Sequence, residues 1–129
     1  MHVNRLDHFV LTVADLDATI DFYTRLLGMT AVTFGDGRRA LSFGSSKINL
    51  HEVGKEFEPK ADRPTPGSAD ICLIVDDPID DVIAHLDSAA VPIIEGPVER
   101  TGATGSIRSV YLRDPDQNLI ELSNYLPAR

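Results

Sequence analysis

Apolar and polar residues alternate over residues 6–13, which predicts a β-strand with His8 on one face and apolar side chains on the other. Asp15 follows as a predicted helix cap. Apolar residues then recur at helical spacing as far as Gly28, a residue type at which helices commonly end. The chain therefore opens with a strand followed by a helix of about three turns.

The rest of the chain predicts three more strands and then a second copy of the same plan. The further strands of the first half are predicted over residues 29–34, 38–43 and 47–53. The second half predicts a strand over 69–75, a helix capped by Asp77 with Pro78 at its first position and ending near Ser88, and strands over 91–94, 107–113 and 118–125. Residues 96–105 are expected to form a polar loop.

These elements predict an α+β fold built from two βαβββ modules, because each half has the same order of elements. Module one is expected over residues 4–54 and module two over 68–126. Charged residues, glycine and proline dominate residues 55–67, which indicates an irregular linker. A chain of 129 residues is the usual size of one domain, so we expect residues 1–129 to form a single domain with a core that needs no structural metal.

The charge balance favours small molecules as partners. Twenty acidic and 12 basic residues give a net charge of -8, which repels nucleic acid. Apolar runs are too short to span a membrane, and the amino-terminal residues lack the features of a secretory signal. With Cys72 as the single cysteine, these features predict a cytoplasmic protein.

Candidate chemistry lies where the two modules repeat one another. Residues 6–15 are similar to residues 68–77, and residues 48–51 are similar to residues 118–121. This alignment brings four side chains to matching positions, namely His8, His51, Asp70 and Glu121. Imidazole and carboxylate groups are ligands for Zn, Ni, Co, Mn or Fe, so the pattern predicts a divalent metal site. Taken singly, His8 also fits a core histidine and Glu121 a solvated edge residue.

Three motifs carry a resemblance to a known family. They are Leu6-Asp7-His8 with Val13-Ala14-Asp15-Leu16, Phe22-Tyr23 with Leu26-Leu27-Gly28-Met29, and the segment from Tyr111 to Glu121 that contains Asp114-Pro115-Asp116. In this order and spacing they resemble the vicinal oxygen chelate superfamily, which includes glyoxalase I, bleomycin resistance proteins and extradiol dioxygenases. The chain is most similar to the small glyoxalase domain-containing proteins.

The resemblance implies a glyoxalase-like curved mixed sheet and a metal held by His8, His51, Asp70 and Glu121. It implies that a substrate chelates the metal through two adjacent oxygens, with stabilisation of an enediolate and with Glu121 or Asp70 as the proton shuttle. Two positions depart from the family pattern, because many members have histidine where Asp70 stands and glutamate where His51 stands. Asp70 is therefore expected to bind the metal directly, to accept a hydrogen bond from metal-bound water, or to act as general base.

Three other residues are candidates for contact with substrate. Arg108 and Tyr111 lie on the strand before Glu121 and could reach an anionic or oxygenated substrate. Cys72 shares strand parity with Asp70 and could line the cavity, although packing as a small apolar group is the favoured interpretation.

Two functions remain open. The first is a metal-dependent lyase, isomerase or dioxygenase that works as a homodimer, with His8 and His51 from one subunit and Asp70 and Glu121 from the other. The alternative is a metal-free protein that binds a drug or another small molecule, as bleomycin resistance proteins do. Eight aromatic residues and no tryptophan are a poor inventory for stacking a large planar drug, which favours the enzyme.

Overall fold

The computed structural model describes residues 1–128, which divide into two compact units at the boundary between Ser68 and Ala69. The first unit contains β1 (His8–Val13), α1 (Leu16–Asp21), a π-helical turn (Phe22–Leu26), β2 (Thr30–Phe34), β3 (Arg38–Phe43) and β4 (Ser46–Glu52). The second contains β5 (Asp70–Ile74), α2 (Ile79–Ser88), β6 (Glu95–Thr101), β7 (Ser106–Arg113) and β8 (Leu119–Tyr125).

Each unit is built on a four-stranded sheet with the same topology. The strand orders are β1-β4-β3-β2 and β5-β8-β7-β6, so the first and last strands of each unit are neighbours. β1 runs parallel to β4 and β5 runs parallel to β8, whereas all other pairs are antiparallel. The predicted α+β fold with duplicated βαβββ units is confirmed. No helix among residues 1–128 is long and apolar enough to cross a membrane.

Alternation along the strands gives each sheet two faces. In the second unit Val110, Leu112, Ile120 and Leu122 are buried on the side that carries α2, as the ion pair between Arg108 and Asp80 of α2 shows. We call this side the helix face. The opposite side, the polar face, carries Asp70, Ser109, Tyr111, Glu121 and Ser123.

The sheet of the first unit has the same two faces. Its polar face carries His8, Thr12, Asn49 and His51. The other face buries Leu11, Val13, Ile48 and Leu50.

The prediction for β6 was wrong. The strand spans Glu95–Thr101 and so begins one residue before the predicted loop of residues 96–105, and residues 91–94 are not a strand. β6 is an edge strand and can therefore contain Pro97, which has no N–H to donate to a neighbouring strand. Its register with β7 shifts between Glu95 and Val98. Gly96 has φ +103° and a Cβ there would lie 2.4 Å from the carbonyl oxygen of Ser109, so the close pairing requires glycine.

The two helices are capped in different ways. Asp15 caps α1 as predicted, with its carboxylate accepting from the amide of Ala18 at 3.0 Å. The predicted cap of α2 by Asp77 was wrong, because Pro78 occupies the N-cap position without a side-chain cap. The amide of Ile79 instead donates to Oδ1 of Asn124 on β8 at 2.8 Å. Asn124 Nδ2 also donates to the carbonyl oxygens of Val75 and Asp77, at 3.0 and 2.9 Å.

We expect Asn124→Ala to lower the free energy of unfolding by about 2 kcal/mol, because it removes the cap of α2 and leaves two carbonyl oxygens without this donor. Urea unfolding followed by circular dichroism measures the change. Asn4→Ala, in the exposed amino-terminal segment, is the control and should change stability by less than about 0.5 kcal/mol. Equal stabilities of the two variants would contradict this role of Asn124.

Candidate functional site

The carboxylate of Glu121 is held by a hydrogen bond on the polar face of the second unit. Glu121 lies in register with Cys72 on β5 and Tyr111 on β7. Its Oε2 accepts from Ser109 Oγ at 2.6 Å. Ser109 and Ser123 are joined through their hydroxyls at 2.7 Å, and Cys72 Sγ lies 3.4 Å from Ser123 Oγ.

Since each hydroxyl has one proton, these contacts have a direction. Ser109 gives its proton to Glu121, so Ser123 donates to Ser109 and the Cys72 thiol donates to Ser123. Desolvation raises the pKa of the Cys72 thiol, and the negative charges of Glu121 and Asp70 add to the increase. The chain of donors therefore ends on the carboxylate and keeps Cys72 protonated at neutral pH.

Tyr111 is a protonated phenol held by a cation. Arg100 on β6 donates from Nε to the Tyr111 hydroxyl at 3.2 Å and from Nη2 to Glu95 at 2.9 Å. Desolvation raises the pKa of Tyr111, Arg100 opposes the rise through its hydrogen bond, and Glu121 adds to it. The phenol thus keeps its proton at neutral pH and can donate it in a hydrogen bond.

These groups border a cavity of about 350 Å³ within the second unit. Its lining consists of Asp70, Ile94, Glu95, Arg100, Tyr111, Arg113, Leu119 and Glu121. The volume suits a small molecule, and the lining combines carboxylates, guanidinium groups and a phenol. The cavity can therefore hold a small polar ligand beside the carboxylates of Asp70 and Glu121.

In the first unit, His8 and His51 have different environments. The side chain of His8 is 44% exposed, and its Nδ1 lies 2.7 Å from Asp7 Oδ2, which leaves Nε2 as the outward nitrogen. His51 is only 5% exposed, and its ring packs against the edge of Phe57 with centroids 5.6 Å apart. Burial lowers the pKa of His51, Arg38 lowers it further, and Glu56 opposes the change, so the imidazole is neutral at pH 7.

The strand register separates the two histidines. His8 is paired with Lys47, and His51 is paired with Thr12. They are thus four residues apart along the strands, about 13 Å. Asn49 lies between these two levels on the same face, and its Oδ1 is buried with no donor from residues 1–128.

The register also identifies the equivalent of Glu121. In the second unit, Glu121 is two residues along from the level of Asp70, since Asp70 pairs with Leu119. In the first unit, the residue two along from the level of His8 is Asn49. Asn49 is thus the structural equivalent of Glu121, and the sequence alignment of His51 with Glu121 was shifted by two residues. The match of Ile48-Asn49-Leu50 with Ile120-Glu121-Leu122 is the signal that would have found it.

The remaining predicted residues lie in different places. Arg108 is on the helix face, where Nη2 donates to Asp80 at 3.1 Å, so the structure separates it from Tyr111 and Glu121. Cys72 is exposed, so the interpretation as a packed apolar group was wrong. Arg100 was missed because its strand was predicted to be a loop. Ser109 was missed because a serine on a strand carries no signal without its partner across the sheet.

Metal ligands occur at most in pairs within each unit. Over residues 1–128, no three side chains from histidine, cysteine, aspartate and glutamate form a group that could hold a metal ion. Asp70 and Glu121 share the cavity lining of the second unit, and His8 offers an outward nitrogen on the first. The chemistry of these donors suits a divalent cation. The chain therefore holds partial ligand sets on two equivalent sheets.

Comparisons with known proteins identify close relatives. A model of the Glyoxalase/Bleomycin resistance protein/Dioxygenase superfamily matches residues 5–122. Virulence protein STM3117 of Salmonella typhimurium is 60% identical over 126 residues, which are 98% of this chain and 88% of that protein. Glyoxalase domain-containing protein RDO1 of Mycosarcoma maydis is 59% identical over 129 residues, which are 100% of this chain and 73% of that protein.

Solved structures agree with this assignment. The crystal structure of STM3117 has a TM-score of 0.96 and covers 98% of this chain and 100% of its own. Integron cassette protein VCH_CASS1, from the mobile metagenome of V. Cholerae, is 56% identical with a TM-score of 0.95 and covers 98% of each chain.

More distant structures share the fold. Lactoylglutathione lyase from Agrobacterium tumefaciens has a TM-score of 0.73 and is 22% identical over 95% of each chain. The antibiotic binding protein TnmS3 from Streptomyces, 23% identical over 98% of this chain and 99% of its own, has the same TM-score of 0.73. The chain thus belongs to the glyoxalase/bleomycin resistance protein/dioxygenase superfamily, as its motifs predicted.

Proposed function

We propose that the protein is a metal-dependent enzyme of this superfamily, a lyase, isomerase or dioxygenase that acts on a small oxygenated substrate. The observation that carries the proposal is the placement of Glu121, a carboxylate held by Ser109 at the wall of a cavity of about 350 Å³. A carboxylate fixed in this way can accept a proton or a cation without first having to be ordered.

A divalent cation, Zn, Ni, Co, Mn or Fe, would be held by His8, Asp70 and Glu121 together with a fourth residue. The sequence predicts His51 as the fourth ligand, whereas the strand register favours Asn49, whose buried Oδ1 has no donor within the described chain. When bound, such a cation supplies a Lewis acid that polarises substrate oxygens.

Residues that line the cavity of the second unit would carry out proton transfer and substrate binding. Glu121 is the proton acceptor, because Ser109 occupies only one of its oxygens. Tyr111 donates a hydrogen bond to a substrate oxygen, and Arg100 holds the phenol in place. Asp70 is a second carboxylate in the same cavity and acts as a ligand or as the base.

We further propose a homodimer with shared sites, in which His8 of one subunit meets Asp70 and Glu121 of the partner subunit. The support is that imidazole and carboxylate ligands lie on equivalent strands of two units with the same topology. Units built alike can pair across a two-fold axis in the same way as they could pair within a chain.

A metal-free binding protein is the second candidate. Asn49 favours it, because an amide at the position equivalent to Glu121 is a weak metal ligand but a good hydrogen-bonding group. In that case the cavity would hold the ligand through Arg100, Arg113 and Tyr111.

Metal binding distinguishes the two candidates. We expect tag-free protein incubated with Zn, Ni, Co, Mn or Fe(II) and then dialysed to retain one metal ion per chain by elemental analysis. His8→Ala and Glu121→Gln should each lower the affinity by about tenfold or more without unfolding the protein, and Asp70→Asn should cost more activity than stability. His2→Ala, in the exposed amino-terminal segment, is the control. Wild-type protein that stays metal-free with all five ions would overturn the enzyme proposal.

The lowered pKa of His51 predicts a pH-dependent stability. Unfolded imidazole binds a proton near pH 6.5, but the folded protein binds it only at lower pH. The unfolded state therefore holds more protons as the pH falls below 6.5, and stability decreases in that direction. Between pH 6.5 and 5 the free energy of unfolding should fall less steeply in His51→Gln than in wild type. The two slopes should differ by at most about 1.4 kcal/mol per pH unit, the effect of one proton. His2→Gln should keep the wild-type slope, and parallel curves for all three proteins would refute a buried neutral His51.

Mixing variants tests the shared site. His8→Ala and Glu121→Ala proteins should each retain little metal after dialysis, whereas their mixture should regain up to about a quarter of the wild-type metal content. The reason is that heterodimers are half of a random population and hold one intact site out of two. Mass spectrometry shows whether subunits have exchanged. If they have and the mixture regains no metal, the site is not shared. A monomer by light scattering would also exclude a shared site.

A further inference from the structure

Two cations on the polar face of the first unit stack on aromatic rings. Arg38 Cζ lies 4.3 Å from the ring centroid of Phe57 and 5.8 Å from that of Phe34. Lys47 Nζ lies 3.9 Å from the centroid of the same Phe34 ring. Both cations are partly exposed, and the register places them on the face that carries Asn49 and His51. We call Phe34, Arg38, Lys47 and Phe57 the cation cluster.

The cation cluster differs from most basic residues of the chain. Seven other cations each have a carboxylate within 4.0 Å, namely Arg5, Arg25, Lys55, Lys60, Arg63, Arg100 and Arg108. Neither Arg38 nor Lys47 has such a partner among residues 1–128. Asp7 interacts with Lys47 only through longer-range electrostatics, so two cations on one ring with no carboxylate in contact form a local positive site in a protein of net charge -8.

The guanidinium group of Arg38 lies over two rings and has no carboxylate within 4.0 Å among residues 1–128. A guanidinium group that packs its flat face on a ring still presents its N–H donors in the plane, in the fork that matches a carboxylate or phosphate. Lys47 on the shared ring adds a second charge, and an anion bound by both would reduce their mutual repulsion. The rings of Phe34 and Phe57 provide apolar surface beside the anion.

Asn49 adds a requirement for a donor. Asn49 lies two residues beyond Lys47 on β4 and therefore on the same face, and its buried Oδ1 has no donor among the described residues. A buried acceptor of this kind costs free energy unless a partner satisfies it. In protein without a bound cation, a hydroxyl group on the ligand would supply that partner.

We propose that the cation cluster and Asn49 bind a hydroxylated small molecule that carries a carboxylate or phosphate and an apolar portion. Arg38 and Lys47 bind the anionic group, Phe34 and Phe57 contact the apolar portion, and Asn49 Oδ1 accepts from the hydroxyl. The inference rests on the proposed function in one respect, that a site shared between subunits brings the polar face of the first unit to the substrate, and it names the class of that substrate.

The probes are 3-hydroxybenzoate, benzoate and phenol, which respectively carry both groups, lack the hydroxyl and lack the anion. Binding is measured by calorimetry and by NMR of the Arg38 side chain in protein kept metal-free with EDTA. We expect 3-hydroxybenzoate to bind about tenfold more tightly than benzoate, and phenol to bind more weakly than both. Asn49→Ala should remove the advantage of 3-hydroxybenzoate and leave benzoate binding unchanged.

Charge-matched variants locate the anion. Arg38→Gln and Lys47→Gln should each weaken benzoate binding about tenfold, whereas Arg25→Gln and Lys55→Gln, whose cations are paired with Asp21 and Glu52, should stay within about twofold of wild type. Competition by inorganic phosphate at lower concentration than benzoate would assign the site to phosphate esters, and competition only at higher concentration would assign it to carboxylates.

Equal losses in Arg25→Gln and Arg38→Gln would overturn the proposal, as would unchanged Arg38 signals with all probes. Amide NMR spectra of each variant show whether it remains folded. Arg38→Lys is a more conservative replacement than Arg38→Gln, because it keeps the positive charge and loses only the paired N–H donors of the guanidinium group. Because these measurements need neither metal nor turnover, they can fail while metal binding succeeds, and the reverse is also possible.

Discussion

The alternation of side chains along each strand fixes both the buried core and the polar face of each sheet. A shift of one residue between β8 and its neighbours would carry Glu121 from the polar face to the helix face and expose Ile120 and Leu122, which are buried. Burial of apolar residues against α2 therefore fixes the register, and the register places Ser109, Tyr111 and Glu121 side by side. The functional groups are positioned by the same free energy that forms the core.

Local features of the fold could be predicted from the sequence, and long-range ones could not. The bounds predicted for β3, the cap at Asp15 and the duplicated module all follow from residues close together in the chain. The cap of α2 by Asn124 joins residues 45 positions apart, and β6 forms at a sheet edge despite Pro97 because β7 pairs with it. The candidate site shows the same division. The sequence identified His8, Asp70 and Glu121 as candidates. It allowed either His51 or Asn49 to be aligned with Glu121, and the pairing of β1 with β4 was needed to choose Asn49.

The two units carry different chemistry on the same scaffold. In the second unit, carboxylates line the cavity, and Arg100 holds a protonated Tyr111 beside Glu121, which suits proton transfer and cation binding. In the first unit, Arg38 and Lys47 stack on aromatic rings beside a neutral His51, which suits an anion with an apolar portion. Duplication preserves the strand order, and substitution at equivalent positions then gives each polar face its own charge.

Strand register makes Asn49, and not His51, the residue of the first unit that is equivalent to Glu121. Calorimetric titration of Asn49→Glu and His51→Glu with Ni²⁺ or Zn²⁺ tests it most directly, because each variant adds one carboxylate to the first unit. We expect Asn49→Glu to raise the metal affinity about tenfold over wild type and His51→Glu to give no such gain. A gain in His51→Glu without one in Asn49→Glu would contradict it.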